Sequence, residues 1–403
     1  VNDALNQPFH YAYQGHLLTK ETNRNGLSFY FEYDGFDEQA RCTRTWGDDG
    51  IYNHKLTYHL DEQLTVVENS LGHKTSHYYN DQGVVIEAVD ALGNSSKTEY
   101  NEYNEVVAEI DELGLVTRYT YDERGNQTSV TQPDDAVVQM QYDEDDQLIA
   151  ATDAVGGEWQ WKYDEQGNLL ERIDCLERLT QYQYQQGLLR EVIDPAGNRT
   201  QLEYDQQNNL IGLTTPDGAR SQWQYDQLGR CIQVSDPKGN VQRRRFDLLG
   251  RVVRVDEPDG NQRRLSYDGE GNVLQAVDQQ HQVSFTYRGM NRLASRSEAG
   301  TTVEFHYDTE DQLLGIKNEH GFVYRFELDP LGNVAKEIGF DLQERIYERN
   351  AAGQVTVVRR PKERWNKYDY DRAGRVIQVS YHDETLEKYE YRADGELILA
   401  ENQ

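Results

Sequence analysis

Residues 225–251 read YDQLGRCIQVSDPKGNVQRRRFDLLGR, and their first six residues return at the end, 21 positions later. Tyr225-Asp226-Gln227-Leu228-Gly229-Arg230 becomes Phe246-Asp247-Leu248-Leu249-Gly250-Arg251. Working outward from this pair, the same frame extends over the whole chain. Nineteen anchors run from Tyr13 to Tyr391, and every interval but one is 20 or 21 residues. The exception, Tyr33 to Tyr58, is 25 residues, and a longer loop is expected over 41–52. Leu328 and Arg349 stand at anchor positions without the aromatic ring, yet the downstream frame persists in Asp329-Pro330-Leu331-Gly332-Asn333. A fixed period across 403 residues denotes a repeat array, so 1–403 reads as one array with no linker.

Each unit spells two turns and two short strands. The first turn follows the anchor, as in Tyr121-Asp122 with Gly125, Tyr163-Asp164 with Gly167, and Tyr225-Asp226 with Gly229. It recurs in Phe246-Asp247 with Gly250, Tyr267-Asp268 with Gly271, and Tyr370-Asp371 with Gly374. The second turn carries Pro and then Gly, as at Pro216 and Gly218, Pro237 and Gly239, and Pro258 and Gly260. Asp bonds its own turn amides, Pro presets a corner, and Gly accepts positive φ. The segments between, such as Val252-Val253-Arg254-Val255, are too short for helices and rich in β-formers. Trp161, Tyr182, Trp223, Phe285 and Tyr368 stand two residues before anchors, with Lys162, Gln183, Gln224, Thr286 and Asp369 between. Side chains alternate across a strand, so one face of the sheet is aromatic and the other polar. The fold predicted is all-β: about 19 antiparallel hairpins with period 20–21, coiling into a curved or spiral hollow sheet. Some ~38 strands at ~4.8 Å would need a circumference of ~180 Å if closed as one ring, far beyond a barrel that side chains can fill.

Composition removes several function classes. The formal charge of −30 disfavours nucleic acid and anionic membrane as main partners. Cys42, Cys175 and Cys231 lie far apart with no zinc-type spacing, and no stretch approaches the ~20 apolar residues of a membrane span. Val1-Asn2-Asp3 opens no signal peptide and lacks an initiator Met, so a fragment of a longer protein is expected. His73 and His77 in HKTSH could share a strand face, but no further ligand completes a familiar metal spacing. Asp143-Glu144-Asp145-Asp146 lacks the Gly and distal Glu of a calcium loop. The Asp after each anchor serves as a turn-former, and no nucleophile–base signature occurs. No cofactor, no metal and no catalysis are expected.

Charge placement is the one feature the period leaves over. Residues 101–157 hold 14 acids against Arg118 and Arg124, whereas 219–300 hold 12 Arg and Lys238 against 10 acids, a local +3. That sector includes Arg243, Arg244, Arg245, Arg263 and Arg264, a candidate docking patch.

The unit Y-D-x-x-G-R/N, apolar strand, D-P-x-G-N, strand resembles the YD repeats of Rhs proteins, which also occur in insecticidal toxin-complex components and teneurins. The resemblance covers essentially the whole chain. It implies a spiral β-shell that encloses a C-terminal toxin and is exported by a bacterial secretion route. The partners it implies are further shell repeats, the toxin, and secretion-apparatus or chaperone proteins. Family shells have more repeats and an autoproteolytic segment; Asp329-Pro330-Leu331-Gly332-Asn333 lies in the ordinary repeat frame and reads as another turn. Self-association through sheet edges is a further expectation. An alternative function, a carbohydrate-binding or adhesive surface, would need Trp159, Trp161, Tyr182 and Trp223 exposed as stacking platforms.

Overall fold

A computed structural model describes all residues from Val1 to Gln403. It contains 38 strands, from β1 (His10–Gln14) to β38 (Leu397–Asn402), and two single 3-10 turns, with no α-helix. Every strand pairs antiparallel with its neighbour in sequence, so the chain is one continuous meander. No helix is long and apolar enough to cross a membrane.

The repeat around Tyr225 shows how one unit is built. Strand β21 (Arg220–Tyr225) ends at the anchor, and β22 (Cys231–Ser235) returns after the turn. In β21 Ser221, Trp223 and Tyr225 are half-buried while Arg220, Gln222 and Gln224 are exposed, the two-faced pattern the alternation predicts. The turn is closed by Asp226 N–H to the Arg230 carbonyl (3.0 Å) and Gly229 N–H to the Asp226 carbonyl (3.0 Å). Gly229 has φ +75°, a backbone state that a Cβ resists. Where the glycine is absent, Asn104, Asp146, Asn208 and Asp311 take the same left-handed conformation, the residues best able to do so.

A bulge accompanies the hairpin. Gln224 pairs with Gln233 but Tyr225 pairs with Cys231, leaving Ile232 as the extra residue. The same slip precedes Phe246, Tyr267 and Tyr391, and β5 (His54–His59) is an exception, pairing with the next strand without it. Each bulge increases local twist, and a bulge in nearly every hairpin makes the sheet coil.

The wall has no solid core. Only 13 of 403 residues are buried, and the accessible surface is 24,647 Å². A compact protein of 46.7 kDa would expose about 16,000 Å². The excess means a thin sheet with two solvent-facing sides.

The extra residues near the start are placed differently from the expected loop at 41–52. Cys42–Gly47 forms strand β4, paired with the strand Ser28–Tyr33 through Tyr30 opposite Trp46. The insertion divides between the loop 34–41 and the turn at 48–53. β-Formers and the Tyr30–Trp46 stack (5.3 Å) hold the segment in the sheet.

The turn and anchor contribute unequally to stability. Gly250 has φ +80° with no backbone atom near the point where a Cβ would sit, so Gly250→Val costs backbone strain alone, about 2 kcal/mol. Tyr225→Phe removes one hydroxyl hydrogen bond (2.9 Å), about 1 kcal/mol. Thermal melts should therefore rank Gly250→Val below Tyr225→Phe; equal losses contradict the turn assignment.

Candidate functional site

The recurrent residues act together as joints between hairpins. The carboxylate of Asp226 accepts the amides of Leu228 (2.9 Å) and Arg230 (3.0 Å), and Asp247 accepts those of Leu249 and Arg251 at 2.9 Å. The same bonds recur at Asp122, Asp164, Asp268 and Asp371. Arg230 Nε donates to Asp226 (2.7 Å), its Nη1 donates to the Asp247 carbonyl of the next repeat (3.0 Å), and its guanidinium lies 5.1 Å from the Phe246 ring. Arg251 repeats all three contacts with Asp247, Asp268 and Tyr267. The Arg that closes each echo of the opening stretch thus clamps its own turn and stacks on the following anchor.

The anchor hydroxyl makes the second joint. Tyr121, Tyr163, Tyr225, Tyr267 and Tyr370 each donate to the carbonyl 15 residues earlier, at Val106, Leu148, Leu210, Val252 and Val355. That carbonyl begins the returning strand of the previous hairpin, beside its bulge. Arg349, one of the two anchors without a ring, sends Nη1 to the Val334 carbonyl at the same spacing (2.6 Å). Arg at this position keeps the bond without the ring, whereas Phe246 keeps the ring without the bond and Leu328 has neither.

A third set of contacts joins residues some 240 apart. Asn25 donates to Asp268 (2.8 Å), the Arg24 amide to Glu270 (2.8 Å), and the Tyr52 amide to the Thr309 carbonyl (2.8 Å). Glu310 accepts the Ser70 amide (2.8 Å) and hydroxyl (2.5 Å) and meets His54 Nε2 at 3.0 Å. Arg375 pairs with Asp134 (2.9 Å) and Arg372 with Asp135 (3.6 Å). At Asn25, Ser70 and Asp134 the turn following an even strand meets an anchor turn 23 strands further on, and Tyr52 of the insertion and His54 at the start of β5 add contacts. The sheet is therefore a spiral with a seam. Twenty-three strands at ~4.8 Å give ~110 Å per winding and a diameter of ~35 Å, so the array makes more than one winding instead of a single ring of ~180 Å circumference.

Carboxylates in these joints are held in their charged form. Hydrogen bonds from the Arg230 side chain and amide keep Asp226 below the ordinary carboxylate range, and the Asn240 side chain and amide do so for Asp236. Burial raises the Glu310 pKa, but the Ser70 hydroxyl, His54 and the Ser70 amide outweigh it and leave Glu310 lowered. Depressed folded-state pKa values give stability that is present above the unfolded value near ~4 and lost as pH falls through the folded values. The melting temperature should hold between about pH 5 and 8 and drop below about pH 4; a protein equally stable at about pH 2.5 contradicts the role of these carboxylates.

The five sequence-flagged arginines do not form one cluster. In β23 (Val241–Phe246) Arg243 and Arg245 are exposed on the polar face, whereas Arg244 lies on the Phe246 face with Nε bonded to Gln242 (2.8 Å). In β25 (Gln262–Tyr267) Arg264 shares the polar face, and Arg263 lies on the other face paired with Glu257. Arg254 of β24 (Val252–Asp256), not flagged from the sequence, stands between Arg245 and Arg264. Strict alternation carried that signal; the run of three arginines masked it.

Trp159, Trp161, Tyr182 and Trp223 are half-buried within the sheet face, and the Arg172 guanidinium lies 5.5 Å from the Trp159 ring. His77 bonds Thr75 (3.2 Å), and no group of three His, Cys, Asp or Glu residues is placed to hold a metal ion. Asp329–Asn333 is an ordinary turn, with Gly332 at φ +84°.

Repeated hairpins, joined laterally and wound into a spiral, define a β-shell repeat protein. Residues 163–337 match the Teneurin YD-shell family and residues 100–137 and 142–174 match the RHS repeat, bearing out the resemblance to the Rhs/YD-repeat family. No curated protein matches the chain. The fold is similar to the crystal structure of TcdB2-TccC3-Cdc42 (TM-score 0.66, 13% identity, 91% of this chain and 27% of that one). It is also similar to the Photorhabdus luminescens Tc holotoxin pore (TM-score 0.73, 13% identity, 98% and 27%). A third likeness is to TcdB2-TccC3 without its hypervariable C-terminal region (TM-score 0.64, 14% identity, 93% and 22%). The chain spans about a quarter of the length of those chains.

Proposed function

We propose that this chain is a wall segment of an encapsulating shell in an exported, Rhs-type toxin-delivery protein, and that its role is enclosure rather than catalysis. The observation that carries the reading is the seam: turns some 240 residues apart bond to one another, so the sheet surrounds a space. Thin-walled exposure and the likeness to toxin-complex structures support it.

Further repeats are the natural partner of the open rim. The turns 174–178, 194–198, 215–219, 236–240 and 257–261 face the same way as the seam turns but bond nothing across it. Additional windings would seat there by the contacts seen between Arg375 and Asp134. The half-buried state of Trp159, Trp161, Tyr182 and Trp223 disfavours the carbohydrate-binding alternative, which needs open aromatic platforms.

Limited proteolysis tests enclosure directly. Expressed within its parent reading frame, the shell should protect the C-terminal segment from protease, and weakening the seam by Glu310→Ala with Arg375→Gln should expose it. Equal cleavage of that segment with and without the shell overturns the proposal.

A further inference from the structure

We propose that the exposed face of β23–β25 binds an acidic, extended polypeptide segment through Arg243, Arg245 and Arg264. Cross-strand register places Arg245 opposite Arg254 and Arg254 opposite Arg264, three like charges in one row. Like charges directly opposite one another destabilise a sheet, so the fold gains nothing from this row. Asp256 neutralises Arg254 (2.7 Å), but Arg243, Arg245 and Arg264 make no ion pair and no side-chain hydrogen bond. Some exposed arginines pair, as Arg199 does with Glu191 and Arg220 with Glu203, and Arg118, Arg288 and Arg325 stand free elsewhere on the sheet; what sets β23–β25 apart is that its free arginines share one small area of one face. Three free guanidinium groups in a chain of net charge −30 are therefore an unspent recognition surface.

The spacing selects the ligand. Arg243 and Arg245 are two residues apart on one strand, about 7 Å, and Arg264 lies two strands away, about 10 Å from Arg245. An extended peptide with an acid at every second position presents carboxylates at the same ~7 Å repeat, and guanidinium forks match carboxylates bidentately. Neutral Gln233 and Gln262 flank Arg243 and Asp256 across the strands. A long polyanion such as nucleic acid would extend beyond this small patch onto a strongly acidic molecule. The occupant that fits is a short acidic run in an otherwise neutral, extended polypeptide. The arginine row follows from side-chain register alone and is present whether or not the wall encloses anything.

Fluorescence anisotropy with a labelled Glu-Ser-Glu-Ser-Glu-Ser-Glu peptide and the full chain tests it. Binding at about 0.05 M salt should weaken on the order of tenfold in the double variant Arg245→Gln, Arg264→Gln. It should weaken again at about 0.3 M salt and stay unchanged in Lys388→Gln, an exposed site far along the sheet. Circular dichroism should show all variants folded. Absence of binding, or equal binding by the double variant, overturns the proposal. Tighter binding of a single-stranded oligonucleotide of equal charge, lost in the same double variant, overturns the acidic-polypeptide occupant and replaces it with nucleic acid.

Discussion

No hairpin of this protein can bury its own apolar face, so each must be fastened to the one before it. The backbone ladder does this everywhere, and at many joints a hydroxyl adds to it: Tyr225 reaches the carbonyl of Leu210 on the adjacent strand, and Tyr121, Tyr267 and Tyr370 repeat the bond. A bare carbonyl beside a bulge would otherwise compete for water, at a cost of about 1–3 kcal/mol if shielded. The adjoining Arg adds a clamp on its own Asp and a cation over the next ring. Stability is therefore distributed among neighbours, as in other quasi-one-dimensional arrays, rather than concentrated in a core.

The same bulges that create the hydroxyl's partner also impose the curvature. Twist added once per hairpin accumulates until turns of one winding reach turns of the next, after 23 strands. Polar side chains meet there because both rims are built of Asp- and Asn-rich turns. Glu310, with its side chain 9% exposed, gathers Ser70 and His54; Asp134 and Arg375 pair across the seam. These contacts hold the spiral closed without joining its windings into one hydrogen-bonded ladder.

Much of this was legible in the sequence. The period gave the hairpins, the Asp and Gly positions gave the turns, and the alternation at Trp223 and Tyr225 gave the faces. The spiral's circumference was not legible, because it depends on twist summed over many units rather than on any one. The seam contacts join residues about 240 apart, beyond the reach of a repeat pattern. The strand at Cys42–Gly47 was hidden because insertions on both sides broke the frame. The hydroxyl's role was hidden too, since Tyr read as a ring; Arg349, which keeps the bond without the ring, was the available clue.

Whether the sheet winds back upon itself is decided by one distance. Spin labels placed at Asp135 and Arg372, in a chain whose Cys42, Cys175 and Cys231 are replaced by Ser, would sit on turns that pair across the seam at 3.6 Å. Double electron–electron resonance should then give a single short separation set by the label tethers. An open strip would hold the same two turns 23 strands apart, at about 110 Å, and a long or broadly spread distance would contradict the spiral.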